Sequence, residues 1–312
     1  MKTPRYKVVL TGCTALEVVA AYFRDAGCEV PPADEPVEVS RPDFIYDVTS
    51  HNDVLADEVP GFFDEKMAKL SGCPYSIDCI KAIIEEFFWY AEAARTSSSV
   101  KKVLAVDADN TLWRGIVSED GRDALSPYSE FQLALKKLRS DGVILVALSK
   151  NDSSSPFIPV GMPLQDEDFS LMKINWAPKS GNLLEAVKAL SLSADSVVFV
   201  DDNSFERAQM SQHLPEVAIV PFNGFPVDSA RHERQLARRI REYFFSAGAI
   251  TYEDKIRAAD YQRRGMIGIG EGMSREEFLK SLCLWVKPKM ADEGDLDRLC
   301  QMAGKTNQFN AT

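Results

Sequence analysis

Residues 103–113, VLAVDADNTLW, carry the reading of this chain, and everything else is placed around them. Val103-Leu104-Ala105-Val106 is an unbroken apolar run with no polar residue to face water, the habit of a strand covered on both faces in a parallel sheet. The run then stops on Asp107 and Asp109, two carboxylates separated by one alanine. A chain turning off a strand end can aim both at one ligand, and ligands of open α/β sheets lie outside the carboxyl ends of the strands.

Working outward, the sequence predicts strands at Val143–Leu148, Val197–Val200 and Val217–Val220, and helices at Phe131–Ser140 and Leu183–Leu190. Alternating strands and helices imply right-handed crossovers and a Rossmann-like, mostly parallel sheet with helices on both faces. Upstream, Tyr6–Leu10 and Asp43–Val48 read as strands, and Thr14–Ala26 and Ile77–Ala94 as helices; Thr96-Ser97-Ser98-Ser99 reads as a linker. Downstream, Arg231–Phe245, Tyr252–Arg264 and Arg275–Leu282 have helical patterning, followed by a short strand at Leu284–Val286. The predicted fold class is α/β, with an N-terminal α/β region (1–96), a catalytic domain (97–228) and a mainly helical extension (229–312). No internal repeat is present.

Four polar elements then fall at strand ends or a helix start. Asp107 is placed as a nucleophile toward phosphorus, and Asp109 as the group that protonates a leaving oxygen and then activates water. Asn110 and Thr111 follow as substrate-binding candidates. Ser149 ends the Val143–Leu148 strand, where its hydroxyl can donate to a phosphoryl oxygen, with Lys150 and Asn151 beside it. Lys179, near the start of the Leu183 helix, can pair an ammonium with both nucleophile and phosphate. Asp201-Asp202 ends the Val197–Val200 strand. Asp107, Asp109, Asp201 and Asp202 are the predicted metal carboxylates, and hard oxygen donors point to Mg²⁺. Each element alone has an ordinary reading: a loop acid pair, a turn-forming serine, a solvated lysine, a helix N-cap. Their order and placement after successive strands is what chance does not supply.

The 312 residues carry 36 Lys and Arg against 47 Asp and Glu, a formal charge of −11, which argues against nonspecific nucleic-acid binding. No apolar run approaches a membrane span, and the N-terminus lacks a signal-peptide pattern; a cytoplasmic location is expected. Cys13, Cys28, Cys73, Cys79, Cys283 and Cys300 show no metal-ligand spacing and are expected to be reduced. Gly12-Cys13-Thr14 reads as a turn rather than a hydrolase nucleophile.

The four elements resemble the motifs of the haloacid dehalogenase (HAD) superfamily, at Asp107/Asp109, Ser149, Lys179 and Asp201/Asp202. The resemblance narrows to its FkbH-like subfamily (IIIC) over roughly 75–312, carried by VLAVDADNTLWRGIVSEDG (103–121), SKND (149–152), DFSLMKINWAPKSGNL (168–183), VVFVDDNSFER (197–207), TYEDKIRAADYQRR (251–264) and KTNQFN (305–310). It implies a HAD-type sheet with a minimal cap and Mg²⁺-dependent phosphatase chemistry through an aspartyl-phosphate. It also implies transfer of a glyceryl unit from 1,3-bisphosphoglycerate to the phosphopantetheine thiol of an acyl carrier protein in polyketide-type biosynthesis.

Departures keep two alternatives open: a stand-alone phosphatase on a small phosphate ester or phosphoprotein, and a non-catalytic carrier-docking protein. Where the resembling family has a cysteine before Ser149, this chain has Leu148, so no acyl-enzyme is expected there. The segment SSSPFIPVGMP (153–163) places three prolines where the family has a helix. The chain ends at Asn310-Ala311-Thr312, inside a block that leads in relatives to an acetyltransferase-like domain, so a truncated member is expected. Arg231–Arg241, with five arginines against one glutamate, reads either as a solvated helix face or as a surface for an acidic carrier.

Overall fold

The computed structural model describes residues 8–11, 16–30, 44–49, 59, 61, 63–71, 73–153 and 156–245, all within the first of two compact units, residues 1–266. The elements expected beyond residue 245, including the TYEDKIRAADYQRR and KTNQFN blocks, lie outside the described residues.

At the centre is a five-stranded parallel sheet. Its strands are β3 (Val103–Val106), β6 (Ile144–Ser149), β7 (Leu171–Ile174), β8 (Val197–Val200) and β9 (Ala218–Ile219), in the spatial order β7-β6-β3-β8-β9. Register follows from side-chain alternation. Leu104 opposes Leu145 and Val198, and Val106 opposes Ala147 and Val200. These residues share one face and one apolar cluster with Phe131, Leu135 and Leu138 of α5 (Ser129–Ser140) and Leu236, Ala237, Ile240 and Phe244 of α8 (Ala230–Phe244). The alternate residues Val103, Ala105, Ile144, Val146, Leu148, Val197 and Phe199 fill the other face against Leu183, Ala186 and Val187 of α6 (Lys179–Ala189) and Met210 of α7 (Ser204–His213). The sheet is thus covered on both sides, as the continuous apolar strands predict. Each fully buried Leu or Val in these layers contributes about 1.5–3 kcal/mol.

Before the sheet, β1 (Val8–Thr11) pairs in parallel with β2 (Phe44–Asp47), against α1 (Leu16–Asp25) and α3 (Ile77–Arg95); α2 (Glu65–Ser71) precedes α3. Phe23, Tyr46 and Phe87 pack their rings at 5.1–6.3 Å between centroids. Ser76 caps α3 by accepting from the Cys79 amide at 3.2 Å. On the far side of the helix Trp89 enters the central core, and Tyr243 of α8 donates to buried Glu86 at 2.6 Å. Cys28, Cys73 and Cys79 are buried, and burial pushes Cys79 up to about 12.

Thr96–Ser99 forms the turn that joins α3 to β3, and it is anchored at both ends. Thr96 is buried with its hydroxyl donating to the Glu92 carbonyl, and Ser99 donates to Asp195. The sequence reading passed over β7, whose four residues are all half-buried and show neither an apolar run nor alternation. The basic stretch of α8 is largely neutralised within the protein: Arg234, Arg238, Arg239 and Arg241 pair with Glu130, Glu242, Glu86 and Asp141. The proline-rich stretch, over its described residues 156–163, forms no helix; the Asp166 carboxylate accepts from the amides of Phe157 and Ile158 at 2.8 and 2.7 Å.

Between β3 and α5 there is only a small insertion. β4 (Trp113–Arg114) pairs antiparallel with β5 (Ser126–Pro127) around α4, the single turn Val117–Asp120. Gly115 closes this hairpin at φ 108°, and a β-carbon there would meet Leu125 Cδ2 at 2.9 Å. No helix among the described residues is long and apolar enough to cross a membrane.

Candidate active site

The carboxyl ends of β3, β6 and β8 and the start of α6 converge on a buried charge cluster. Asp107 follows β3, and its amide donates to the Val200 carbonyl of β8 at 2.9 Å, which locks it beside the neighbouring strand end. Lys179 opens α6 after Pro178, and its Nζ lies 2.8 Å from Asp107 Oδ1 and 2.7 Å from Asp201 Oδ2. All three side chains are under a tenth exposed, Asp201 completely buried. Asp202 is less enclosed and completes a set, with Asp107 and Asp201, whose carboxylate oxygens lie within 4.8 Å of one another.

Asp109 is held apart from this set. Its carboxylate accepts from Trp113 Nε1 at 2.9 Å, from Asn151 Nδ2 at 2.8 Å and from the Val117 amide at 3.3 Å. Asn151 also donates to Ser149 Oγ at 3.0 Å, linking the β6 end to Asp109. Asn110 takes the left-handed conformation at φ 55°, one that asparagine tolerates, and its side-chain oxygen accepts from the Gly115 amide. Buried Thr111 accepts from the Asp202 amide at 3.2 Å. Lys150 pairs with Glu206 of α7 at 2.6 Å. Asp107, Lys179, Asp201 and Asp202 therefore form one cluster and Ser149, Asn151 and Asp109 a second linked set, whereas the polar groups of Asn110 and Thr111 are engaged by the surrounding backbone.

The electrostatics follow from burial. Desolvation raises the Asp107 carboxyl above its ordinary value; Lys179 offsets part of this and the Asp201 charge adds to it. Asp201 is likewise raised by burial against the pull of Lys179, and Asp202 by burial and then by Asp201. Burial alone would lower the Lys179 ammonium, but Asp107 and Asp201 outweigh it and hold the lysine protonated. One ammonium thus faces three crowded carboxylates. A hard divalent cation would offset the remaining negative charge, and the donor set is the all-oxygen kind that such ions take.

Leu148, one residue before Ser149, is fully buried on the opposite face, among Leu183, Ala186 and Phe199. Its side chain points away from Ser149 because successive strand residues alternate. The sequence reading treated position 148 as able to decide acyl transfer; in the fold, a thiol there would be sealed beneath α6 and α7.

Sequence reasoning passed over Trp113, Glu206 and Arg207. Arg207 Nη1 donates to the backbone carbonyls of Asp201 and Asp202 at 2.7 and 2.8 Å, and Nη2 donates to Asn223 Oδ1 at 2.5 Å. The only available signal was their presence inside the quoted blocks; nothing in residue spacing announces such contacts.

No family model and no curated protein matches this chain. Among solved structures it is similar to the N-terminal part of a Bacteroides fragilis protein, containing a phosphatase domain complexed with Mg, at 24% identity and TM-score 0.43. That match covers 76% of this chain and 58% of the other, so the chain spans under two thirds of that protein's length. A 3-deoxy-D-manno-octulosonate 8-phosphate phosphatase from Moraxella catarrhalis, in complex with magnesium ion, phosphate ion and KDO, matches at 17% identity and TM-score 0.33, over 50% of this chain and 91% of that one. A hydrolase of the HAD superfamily (subfamily III A) from Legionella pneumophila, so described with its assignment provisional, matches at 14% identity and TM-score 0.34, over 60% and 98%.

Proposed function

We propose that this chain is a Mg²⁺-dependent phosphotransfer enzyme acting through Asp107. One observation carries the reading: a buried ammonium, Lys179, bridges Asp107 and Asp201, with Asp202 alongside, at the carboxyl edge of a parallel sheet. A structural ion pair needs one carboxylate, and three around one lysine cost stability unless the site serves something else. Asp107, Asp201 and Asp202 would hold Mg²⁺, which when bound supplies neutralising charge for phosphate.

The chain's own groups would act as follows. Asp107 Oδ attacks phosphorus while the bond from phosphorus to the leaving oxygen breaks, and Asp109 gives that oxygen its proton. Asp109 then takes a proton from water, whose oxygen attacks the phosphoaspartate, releasing inorganic phosphate and restoring Asp107. Lys179 holds the attacking carboxylate and balances the phosphoryl charge, and Ser149 donates its hydroxyl hydrogen to a phosphoryl oxygen. Asn151 ties Ser149 and Asp109 into one unit. The three donors on Asp109 fix its direction, so proton transfer needs little rearrangement.

The substrate class is a phosphate ester or acyl phosphate. The finer reading, supported by the resemblance and by the small β4–β5 insertion, is glyceryl transfer from 1,3-bisphosphoglycerate to an acyl carrier protein. Since Leu148 offers no acceptor, the carrier thiol would attack the acyl carbon directly, with the carbon–oxygen bond to phosphate breaking and the thiol proton passing to the departing phosphate. The stand-alone phosphatase is favoured by the internal pairing of the α8 arginines, which weakens the case for a carrier surface. The non-catalytic docking reading fares worst, because a scaffold has no need of the charge cluster.

The test is phosphate release from p-nitrophenyl phosphate and from 1,3-bisphosphoglycerate, with Mg²⁺ or chelator, followed by intact mass of an added carrier protein. Release that depends on Mg²⁺ and Asp107 supports phosphotransfer, and a glycerate-sized mass gain on the carrier supports the finer reading. No release from any phosphate compound would overturn the proposal.

A further inference from the structure

We infer that Glu206 and Arg207, adjacent residues of opposite charge in the first turn of α7, are positioning residues that divide one task between them. Arg207 sets the affinity of the carboxylate cluster for Mg²⁺, and Glu206 sets the grip of Lys150 on the substrate phosphate. The inference rests on the phosphotransfer reading, and it assigns roles to two residues that touch neither metal nor substrate.

The argument begins with the turn that carries Asp201 and Asp202. The turn leaves a strand end, so its backbone has lost the ladder that held β8. Asn203 caps α7 by accepting from the Phe205 amide at 2.9 Å, and its own amide donates to Asp201 Oδ1 at 2.9 Å. What fixes the two peptide planes is Arg207, whose Nη1 donates to both carbonyls while Nη2 is anchored on Asn223. A guanidinium is a rigid planar fork, so two carbonyls held by one end and a side chain held by the other have little rotational freedom. With both carbonyls turned toward Arg207, the carboxylates of Asp201 and Asp202 are left as the turn's donors toward Asp107. Groups that orient metal ligands in this way typically control metal affinity or activity by about 10- to 100-fold.

Glu206 works on the other loop. It is nearly buried and accepts from Lys150 Nζ at 2.6 Å, across from β8 to the residue after Ser149. An ammonium has three donors, and Glu206 takes one. Lys150 stays about a third exposed (32%), with donors available to an incoming phosphoryl oxygen. Without Glu206 the lysine would still carry its charge but would sample many rotamers, and that ordering would fall to substrate binding. One helical turn therefore holds the loops after β6 and β8, on either side of the Asp107 strand.

Two readouts separate these roles from a general effect on folding. Mg²⁺ binding to the whole chain is measured by calorimetry with no substrate present, and KM for p-nitrophenyl phosphate is measured at saturating Mg²⁺. Arg207→Met should weaken Mg²⁺ about 10- to 100-fold while leaving KM within about threefold. Glu206→Gln should leave Mg²⁺ affinity within about threefold and raise KM by about tenfold, the scale of one positioned charge contact. Arg207 also lines a cavity of about 950 Å³, so methionine has room there without a clash. Should Arg207→Met fail to fold, Arg207→Lys and Asn223→Ala carry the same test: lysine lacks the fork and alanine removes its anchor, and each should weaken Mg²⁺ to an intermediate degree. Wild-type affinity for Mg²⁺ in a folded Arg207 variant would overturn the assignment, as would equal effects of both substitutions on both readouts. A wild-type chain that binds no Mg²⁺ at all would instead defeat the phosphotransfer reading beneath it.

Discussion

Replacing Lys179 by methionine removes a charge while nearly preserving length and volume, so its consequence can be worked from the site alone. The ammonium lies 2.8 and 2.7 Å from Asp107 and Asp201, and all three side chains are under a tenth exposed, so solvent screens little of the loss. Removing one partner from a buried ion pair costs about 3–5 kcal/mol, because the remaining charge stays desolvated. The loss must depend on pH. Burial already raises Asp107, Asp201 and Asp202 above the ordinary carboxyl value of 3.8, and without Lys179 they rise further. A carboxyl whose folded pKa exceeds its unfolded one destabilises the fold where pH ionises it, and the deficit fades as pH falls back toward the unfolded value. Urea unfolding in chelator should therefore show a small deficit near about pH 5 and one that grows as pH rises past about 7, where Asp107 ionises in the wild type. Saturating Mg²⁺ at the higher pH should restore part of it, because a ligand bound only by the folded state stabilises that state. A deficit below about 1 kcal/mol, or one that grows on acidification, would refute the view that Lys179 is the counter-charge of this cluster.

Asp107→Asn should abolish phosphate release, and Asp109→Ala should lower kcat about 10²- to 10⁴-fold; undiminished turnover of Asp107→Asn in a phosphate assay would rule out aspartyl-phosphate chemistry. Leu148→Cys should give no acyl-enzyme after exposure to 1,3-bisphosphoglycerate, since residue 148 is sealed on the far face of the sheet; a glycerate adduct on that cysteine by peptide mass mapping would contradict the burial argument. Tyr243→Phe should lower stability by about 1–3 kcal/mol, read as a shift in urea midpoint, because buried Glu86 loses its 2.6 Å donor.

The strands of the sheet that the sequence announced are those whose burial leaves a signature in the chain. Residues 103–106, 144–149 and 197–200 are covered on both faces and read as apolar runs. The strand β7 is half-buried with a lysine in its middle, so periodicity could not separate it from a loop. The helix α6 begins at Lys179 rather than Leu183, because Pro178 fits a helix start while the first turn carries the polar residues Lys179, Ser180 and Asn182. The site was legible for the same reason as the strands: Asp107, Ser149 and Asp201 sit where an apolar run ends. Their supports were not, because Trp113 on Asp109, Arg207 on the Asp201–Asp202 carbonyls and Glu206 on Lys150 are contacts that only the folded turns create. Asp109 shows the limit best. Spacing placed it among the metal carboxylates, while its three donors hold its carboxylate toward Trp113, Val117 and Asn151.

Among the described residues, the side of β9 away from β8 is closed by a pair of side chains rather than by another strand. Glu92 accepts from the Ile219 amide at 2.6 Å, and Arg95, held by Glu92, donates to the carbonyls of Pro215 and Val217. Both belong to α3, upstream of the central sheet in sequence. A shortened gene product starting near Val100 would lose both. Its sheet would then end in bare peptide groups, the template on which two copies stack edge to edge. Such a product would be expected to express as aggregate even with every site residue intact, so assays on this protein belong on chains that retain residues 77–95.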